Sequence, residues 1–110
     1  MREIKAIVRQ ERLDDVVHEL HAVGELPGIT VSTVRGIGRT HGLAGHVGDF
    51  FGEVDMAKVE IVVDDALADM VVRAIVAGAR SGRPGDGKIF VYSVDRVVRI
   101  RTGEENTPAL

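Results

Sequence analysis

The sequence predicts an α+β fold with the element order βαββαβ and an antiparallel sheet. Two segments carry the three- and four-residue apolar spacing of amphipathic helices, and short β-branched segments precede and follow each of them. Two strand-like segments lie in succession between the helices, an order that differs from strict alternation. The 110 residues are expected to form one domain, residues 1–110, with a modest core.

The N-terminal third supplies strand, helix and strand. Residues 2–9 are β-branched and compact, and residues 29–39 return to strand composition. Between them, residues 12–24 form a predicted helix with acidic residues in its first turn and a stop near Gly24 and Pro27. Its apolar face consists of Leu13, Val16, Val17, Leu20 and Val23.

The middle of the chain holds a long segment without periodicity. Residues 40–56 contain four glycines and no regular pattern, and such a loop inside a small domain is usually functional. Residues 57–63 form the third predicted strand, and Asp64 and Asp65 are candidates to cap the helix after it. That helix has the apolar face Leu67, Val71, Ala74, Ile75 and Gly78.

The C-terminal third begins with the glycine-rich turn RSGRPGDG. Residues 88–94 and 96–101 read as two short strands, and residues 103–110 as a polar tail. The complete order matches the ferredoxin-like split arrangement, in which two helices cover one face of the sheet. The strand segments VEIVV and IFVYSV are nearly apolar throughout, so we expect a further copy of the chain to cover the second face.

Composition excludes several classes of protein. A net charge of -3 and 4% aromatic residues argue against a nucleic-acid partner. The chain has no cysteine, and hence no disulfide, thiolate metal site or cysteine nucleophile. No segment has the features of a signal peptide or the ~18 apolar residues of a membrane span. We expect a cytoplasmic protein.

Cations gather around the C-terminal glycine turn. Gly85 and Gly87 allow a backbone to approach a phosphate closely, and Lys88 adds a compact positive charge. Arg99 and Arg101, two apart on a predicted strand, are expected to point to the same side. Arg39 would reach in from the start of the long loop. This set of cations favours a di- or triphosphate ligand.

The same residues resemble the signature of the PII signal-transduction family. Residues 81–91, SGRPGDGKIFV, followed by Val94, meet its C-terminal pattern, and RIRTGEE resembles its ending. VRGIGR, residues 34–39, is similar to the strand that leads into the family's T-loop, here about residues 40–57. The resemblance covers nearly the whole chain outside residues 40–57.

The resemblance implies a homotrimer that binds ATP or ADP in clefts between subunits, with magnesium as an accompanying ion. The T-loop would grip a target protein, often a membrane transporter or a metabolic enzyme. It also implies further ligand contacts, carried over position by position. These are Ile7, Thr30, Glu60 and Val62 around the adenine, Gly36, Gly38, Arg39 and Thr40 at the loop mouth, and Asp86 within the glycine turn.

Departures from the family pattern affect the second ligand. Thr40 replaces the glutamine that helps to hold magnesium and 2-oxoglutarate in typical members, and Met56 replaces their lysine. The loop is about three residues shorter and has no tyrosine to uridylylate; Tyr92 is the chain's one tyrosine. These departures argue against 2-oxoglutarate sensing and uridylylation, and they indicate a divergent, PII-like member with AMP or bicarbonate as alternative ligands.

Other functions stay open at this point. His41 and His46 lie in the long loop with three acids and are the candidates for a metal site, although their spacing matches no rigid motif. No catalytic constellation is evident, so we expect a regulatory protein with at most weak ATP hydrolysis. A purely structural trimer is the remaining alternative, but it leaves Lys88, Arg99 and Arg101 without a role.

Overall fold

The computed structural model of the chain describes residues 1–41 and 49–110, and for residues 38–41 and 49–53 it describes the backbone alone. The elements are β1 (Arg2–Arg9), α1 (Leu13–Val23), β2 (Thr30–His41), β3 (Asp49–Val63), α2 (Asp65–Ala79) and β4 (Gly87–Ser93). All pairings are antiparallel and the strand order is β2-β3-β1-β4. The predicted ferredoxin-like fold is therefore confirmed.

The core lies between the two helices and one face of the sheet. Alternate residues of β1 and β3 point into it, while the intervening residues face away from the helices. The predicted helix faces are the ones that pack, with Val16, Leu20, Val71 and Ile75 fully enclosed. The sheet contributes Ile4, Ala6, Val8, Ala57, Val59, Ile61 and Val63 to the same cluster.

The helices α1 and α2 meet at a glycine. A Cβ atom added to Gly78 would lie 2.6 Å from Val16 Cα and 2.8 Å from the carbonyl oxygen of Asp15. Both are backbone atoms, so no side-chain movement could make room. Arg12 secures the same crossing, because its guanidinium donates hydrogen bonds to the carbonyl oxygens of Gly78 (3.1 Å) and Arg80 (3.2 Å) at the end of α2.

The segment predicted as irregular from residue 40 onward is largely strand. β3 begins at Asp49, eight residues before the predicted start at residue 57, and pairs with β2 from Thr30↔Glu60 to His41↔Asp49. β1 pairs with β3 only as far as Met56, so the remainder of β2 and β3 forms a two-stranded ribbon. The prediction of irregular structure was wrong because these residues lack the alternation of apolar and polar residues that identifies a strand in a sequence. Hydrogen bonding between the backbones of two strands does not require that alternation.

The predicted last strand, residues 96–101, is wrong. After Ser93 the chain forms one isolated bridge, Val98↔Glu105, across a turn in which the Gly103 amide donates to the Arg99 carbonyl (2.8 Å). Ile100 is 100% exposed. The apolar residues of this segment therefore belong to a largely exposed turn, and the sequence analysis interpreted them as a strand.

The tail and the start of α2 also differ from prediction. Asp64 occupies the cap position of α2, but its side chain makes no capping bond to the helix. Its carboxylate instead accepts a hydrogen bond from the Thr107 hydroxyl (3.0 Å). The tail thus docks on the helix start, where Thr107–Ala109 form a 3₁₀ turn and Leu110 is half-buried.

Substitution Gly78→Ala should destabilise the fold, because the added methyl group overlaps the backbone of α1. We expect a loss of about 1–3 kcal/mol in the free energy of unfolding, typical of overpacked contacts. Denaturant unfolding followed by circular dichroism measures it. Gly28→Ala is the matched control, since its methyl group meets open space, and its effect should stay within about 0.5 kcal/mol. Equal stability of the two variants would contradict the close crossing.

Candidate functional site

The glycine turn between α2 and β4 has a backbone that only glycine can supply. Gly85 and Gly87 have φ angles of +93° and +104°. A Cβ atom on Gly87 would lie 1.7 Å from the carbonyl oxygen of Ile7, so the turn comes directly against β1. Positive φ angles in such a turn orient successive amide groups toward one point, which favours anions. We call residues 81–87 the glycine loop.

Asp86 holds the glycine loop together from inside. Its carboxylate accepts hydrogen bonds from the amides of Ser81 (2.8 Å) and Gly82 (2.9 Å) and from the Ser81 hydroxyl. Arg9 Nε lies 3.2 Å from the same carboxylate. The bonds from Ser81, and then those from Gly82 and Arg9, hold the pKa of Asp86 well below its usual range. Asp86 is therefore occupied in folding the loop.

Lysines flank Ile7 on the open face of the sheet. Ile7 pairs with Lys88 of β4 on one side and with Lys58 of β3 on the other. Directly paired residues of a sheet point to the same face, so the row presents two ammonium groups beside one apolar side chain. The predicted neighbours Ile7, Gly87 and Lys88 are thus brought together.

A second group of predicted residues lies one row further along the same face. Thr30 and Glu60 are directly paired, and Val62 follows Glu60 by two residues. These side chains line a cavity of about 400 Å³ together with the C-terminal residues Ala109 and Leu110. We call Thr30, Glu60 and Val62 the Glu60 group.

Glu60 already has a partner within the chain. Its carboxylate lies 3.5 Å from Lys58 Nζ, and a third of its side chain is exposed. The sequence analysis named Glu60 only as a contact around the adenine. The structure also gives it an ionic partner, Lys58, two residues away on the same face.

The predicted residues at the loop mouth lie on the ribbon. Gly36 is half-buried opposite Val54, and Gly38, Arg39 and Thr40 belong to β2. The side chains of Arg39, Thr40 and His41 lie outside the described residues, as does the whole of His46. What these four side chains contact stays a matter of prediction.

Arg99 and Arg101 lie in the C-terminal turn, so the reasoning that placed them two apart on a strand was wrong. Arg99 Nη1 lies 3.3 Å from the Glu104 carboxylate, and the Arg99 amide donates to the Glu104 carbonyl (2.9 Å). Arg101 is exposed. No hydrogen bond or ion pair among the described residues joins this turn to the glycine loop within one chain.

Sequence reasoning missed Arg9. Its guanidinium donates to the carbonyl oxygen of Pro84 (2.6 Å) as well as to Asp86, and so it ties the glycine loop to the end of β1. The partners lie more than seventy positions apart in the chain, and no local motif connects them. Only the register of β1 against β4 could have indicated the contact.

Among the described residues there is no cluster of three side chains suited to a metal ion. No helix in the described part of the chain is long and apolar enough to cross a membrane.

The family model described as nitrogen regulatory protein P-II matches residues 1–104. The chain belongs to this family. Curated P-II proteins from Pasteurella multocida and Nostoc punctiforme are 47% and 48% identical to it, and P-II 1 from Escherichia coli is 45% identical. Each of these similarities covers the full length of both chains.

Solved structures of Bacillus subtilis GlnK have the same fold. One superposes with a TM-score of 0.81 at 32% identity over 99% of this chain and 97% of GlnK. A complex of GlnK with ATP gives a TM-score of 0.84 at 32% identity, over 99% of this chain and 94% of that one. The ferredoxin-like architecture is thus shared with a P-II-type protein that binds ATP.

The glycine loop should keep its fold in acid. Because the folded pKa of Asp86 lies below the unfolded value near 3.8, its contribution to stability is complete above that pH and is lost as the pH falls toward the folded pKa. The amide signals of Ser81 and Gly82, followed by NMR from neutral pH downward, should stay unchanged through pH 3.8. A transition of these signals centred at or above that pH would contradict the assignment. Asp86→Ala, which removes both acceptor oxygens, should abolish their protection at neutral pH.

Proposed function

We propose that this chain is a regulatory protein that binds ATP or ADP and controls a target protein through the loop of residues 40–57. The observation that carries the proposal is the glycine loop, whose backbone is forced against Ile7 while its one carboxylate is consumed internally. A turn of this kind, with Lys88 beside it, suits a phosphate chain. The ATP complex of GlnK, a structure of the same fold, supports this ligand.

The ligand would occupy a cleft between two copies of the chain. On one copy, Lys88 on β4 and the Glu60 group on β2 and β3 lie on the same open face but are separated by roughly 10 Å or more at ordinary strand spacing. The C-terminal turn with Arg99 and Arg101 is a third, separate element. A neighbouring copy would bring these pieces together, as the family resemblance implies for a homotrimer.

Exposed apolar side chains support assembly. Phe90, Val91 and Tyr92 on β4 are 41–49% exposed, and Ile100 is fully exposed. Apolar groups of this size that cluster at one edge of a small protein usually mark an interface. We propose that they are covered in a trimer.

Magnesium is not assigned a protein site. The described residues do not supply a cluster of acids, and Asp86 is engaged in four hydrogen bonds. Magnesium bound with nucleotides takes most of its ligands from phosphates and water. Any magnesium in this protein would be held in that way.

The geometry disfavours 2-oxoglutarate as a second ligand. Met56, at the position where the family has its lysine, is 9% exposed and uncharged. Lys58, the next cation on that face, is paired with Glu60. We propose a sensor of adenine nucleotides, with AMP and bicarbonate as the alternatives that a titration separates.

The regulatory output would pass along the ribbon. β2 and β3 leave the sheet as a pair, so a ligand that contacts Arg39 could bias the segment of residues 40–57 between two states. The target, a transporter or a metabolic enzyme, stays a prediction, as do the cytoplasmic location and the absence of a catalytic role.

Calorimetric titration with ATP, ADP and AMP, and with bicarbonate, tests the ligand. We expect ATP or ADP to bind at one site per subunit, and Lys88→Ala to weaken this binding at least about tenfold through loss of a charge-assisted contact. Arg73→Ala, which removes an exposed cation from α2, should leave it unchanged. No binding of any adenine nucleotide would reject the proposal, and equal affinity of the Lys88 variant would reject the site.

Sedimentation equilibrium tests the assembly. We expect a species of three times the 11.9 kDa chain mass, and Ile100→Ser should weaken it, because a fully exposed isoleucine would lose its cover in the interface. Ile37→Ser on the ribbon, where isoleucine is 68% exposed, is the matched control. A monomer at all concentrations would contradict the trimer.

A further inference from the structure

We propose that Arg9 is the positioning residue of the glycine loop, and that it also neutralises the Asp86 carboxylate beside the phosphate-binding backbone. This inference deepens the proposed function, on which its nucleotide arm rests. The proposal rests on the position of the Arg9 guanidinium at the end of β1, where it contacts two residues of the glycine loop, Pro84 and Asp86.

The sheet itself stops short of the loop. The ladder between β1 and β4 ends at the pair Val8↔Gly87, and Arg9 is the next residue of β1. Residues 81–86 therefore have no strand pairing to hold them. Arg9 extends the connection by one residue beyond the ladder, through its side chain.

The contact is two-pronged and largely shielded. Arg9 Nη2 lies 2.6 Å from the Pro84 carbonyl oxygen and Nε lies 3.2 Å from the Asp86 carboxylate. The side chains of Arg9 and Asp86 are only 23% and 22% exposed. A rigid fork that engages two groups fixes both position and orientation, which a lysine cannot reproduce.

The guanidinium also lies along the glycine backbone. A Cβ atom at Gly85 would be 3.1 Å from Arg9 Nη2, so the planar group fills the space beside that residue. Arg9 and Gly85 are therefore matched in shape.

Electrostatics gives Arg9 a second role. Asp86 stays ionised, and an unbalanced carboxylate next to a phosphate would repel it. The pairing with Arg9 removes most of this repulsion. Loss of the guanidinium should thus weaken the binding of phosphorylated ligands and leave the binding of adenosine little changed.

The test compares Arg9→Gln, Arg9→Lys and the control Arg2→Gln. Arg2 lies at the opposite end of β1 and, like Arg9, contacts a carboxylate, that of Asp65. It also donates a hydrogen bond to the Ser93 hydroxyl. For Arg9→Gln we expect the ATP dissociation constant to rise about tenfold, with that of adenosine constant. Arg9→Lys, which keeps the charge and loses the fork, should recover part of the loss, and Arg2→Gln should bind as the native chain does.

A double-mutant cycle separates the two roles. If Arg9 offsets the charge of Asp86, Arg9→Gln should cost less ATP affinity in an Asp86→Asn background than in the native chain. Equal costs in the two backgrounds, or an equal loss of adenosine and ATP affinity in Arg9→Gln, would overturn the neutralising role.

The positioning role of Arg9 is tested in the absence of any ligand. Hydrogen exchange at the Ser81 and Gly82 amides should accelerate about tenfold or more in Arg9→Gln and stay native in Arg2→Gln. Unchanged exchange in Arg9→Gln would overturn the positioning role. If the native chain bound no nucleotide, the proposed function would fail, while this measurement would still decide whether Arg9 holds the loop.

Discussion

The central strand β1 is hydrogen-bonded to β3 on one side and to β4 on the other, and this double pairing sets the position of the candidate site. Ile4, Ala6 and Val8 alternate into the core, so Ile7 and Arg9 must face away from it. A shift of one residue in register would exchange the two sets, exposing the core residues and burying Arg9. The need to bury the apolar residues of β1 in the core thus determines which of its residues contact the glycine loop.

The glycine loop shows how a negative side chain can hold together a turn that we propose as an anion site. Its carboxylate gathers the amides of Ser81 and Gly82, and these bonds define the curvature of the turn. Left alone, the same charge would oppose a phosphate. Arg9 of β1 offsets this negative charge through its contact with the Asp86 carboxylate. Lys88, at the start of β4, remains directed to the open face of the sheet.

Local patterns in the sequence were sufficient to predict β1, both helices and the residues of the glycine turn. Apolar spacing and the glycines of a positive-φ turn can each be recognised within a short stretch of sequence. They were insufficient where backbone pairing or distant partners decide. The extension of β3 to Asp49 is specified by its pairing with β2, and the last predicted strand was inferred from the apolar residues of an exposed turn. The contact of Arg9 depends on the register that brings β1 beside the glycine loop, whereas Lys58 and Glu60, two apart on one strand, share a face whatever the register. The family signature pointed to the candidate site, whereas the contacts that hold its loop in place are visible only in the structure.

The open face of the sheet is less apolar than the strand sequences suggest, and this bears on how copies would meet. Of the residues in VEIVV, Val59, Ile61 and Val63 face the core, and Glu60 and Val62 face outward. Lys5 lies over the rings of Phe90 and Tyr92 at 5.3 and 5.1 Å, and the contact with Tyr92, with Glu3 and Glu60 nearby, raises the pKa of Lys5. Lys5 therefore stays charged and covers part of the aromatic surface. Three exposed apolar side chains, Phe90, Val91 and Tyr92, lie on the edge strand β4, and Val98 and Ile100 lie in the C-terminal turn; the others among the described residues are Val31, Ile37, Val54 and Met70. We infer that a neighbouring copy packed against the β4 edge, beside the glycine loop, would complete the ligand cleft as it assembles.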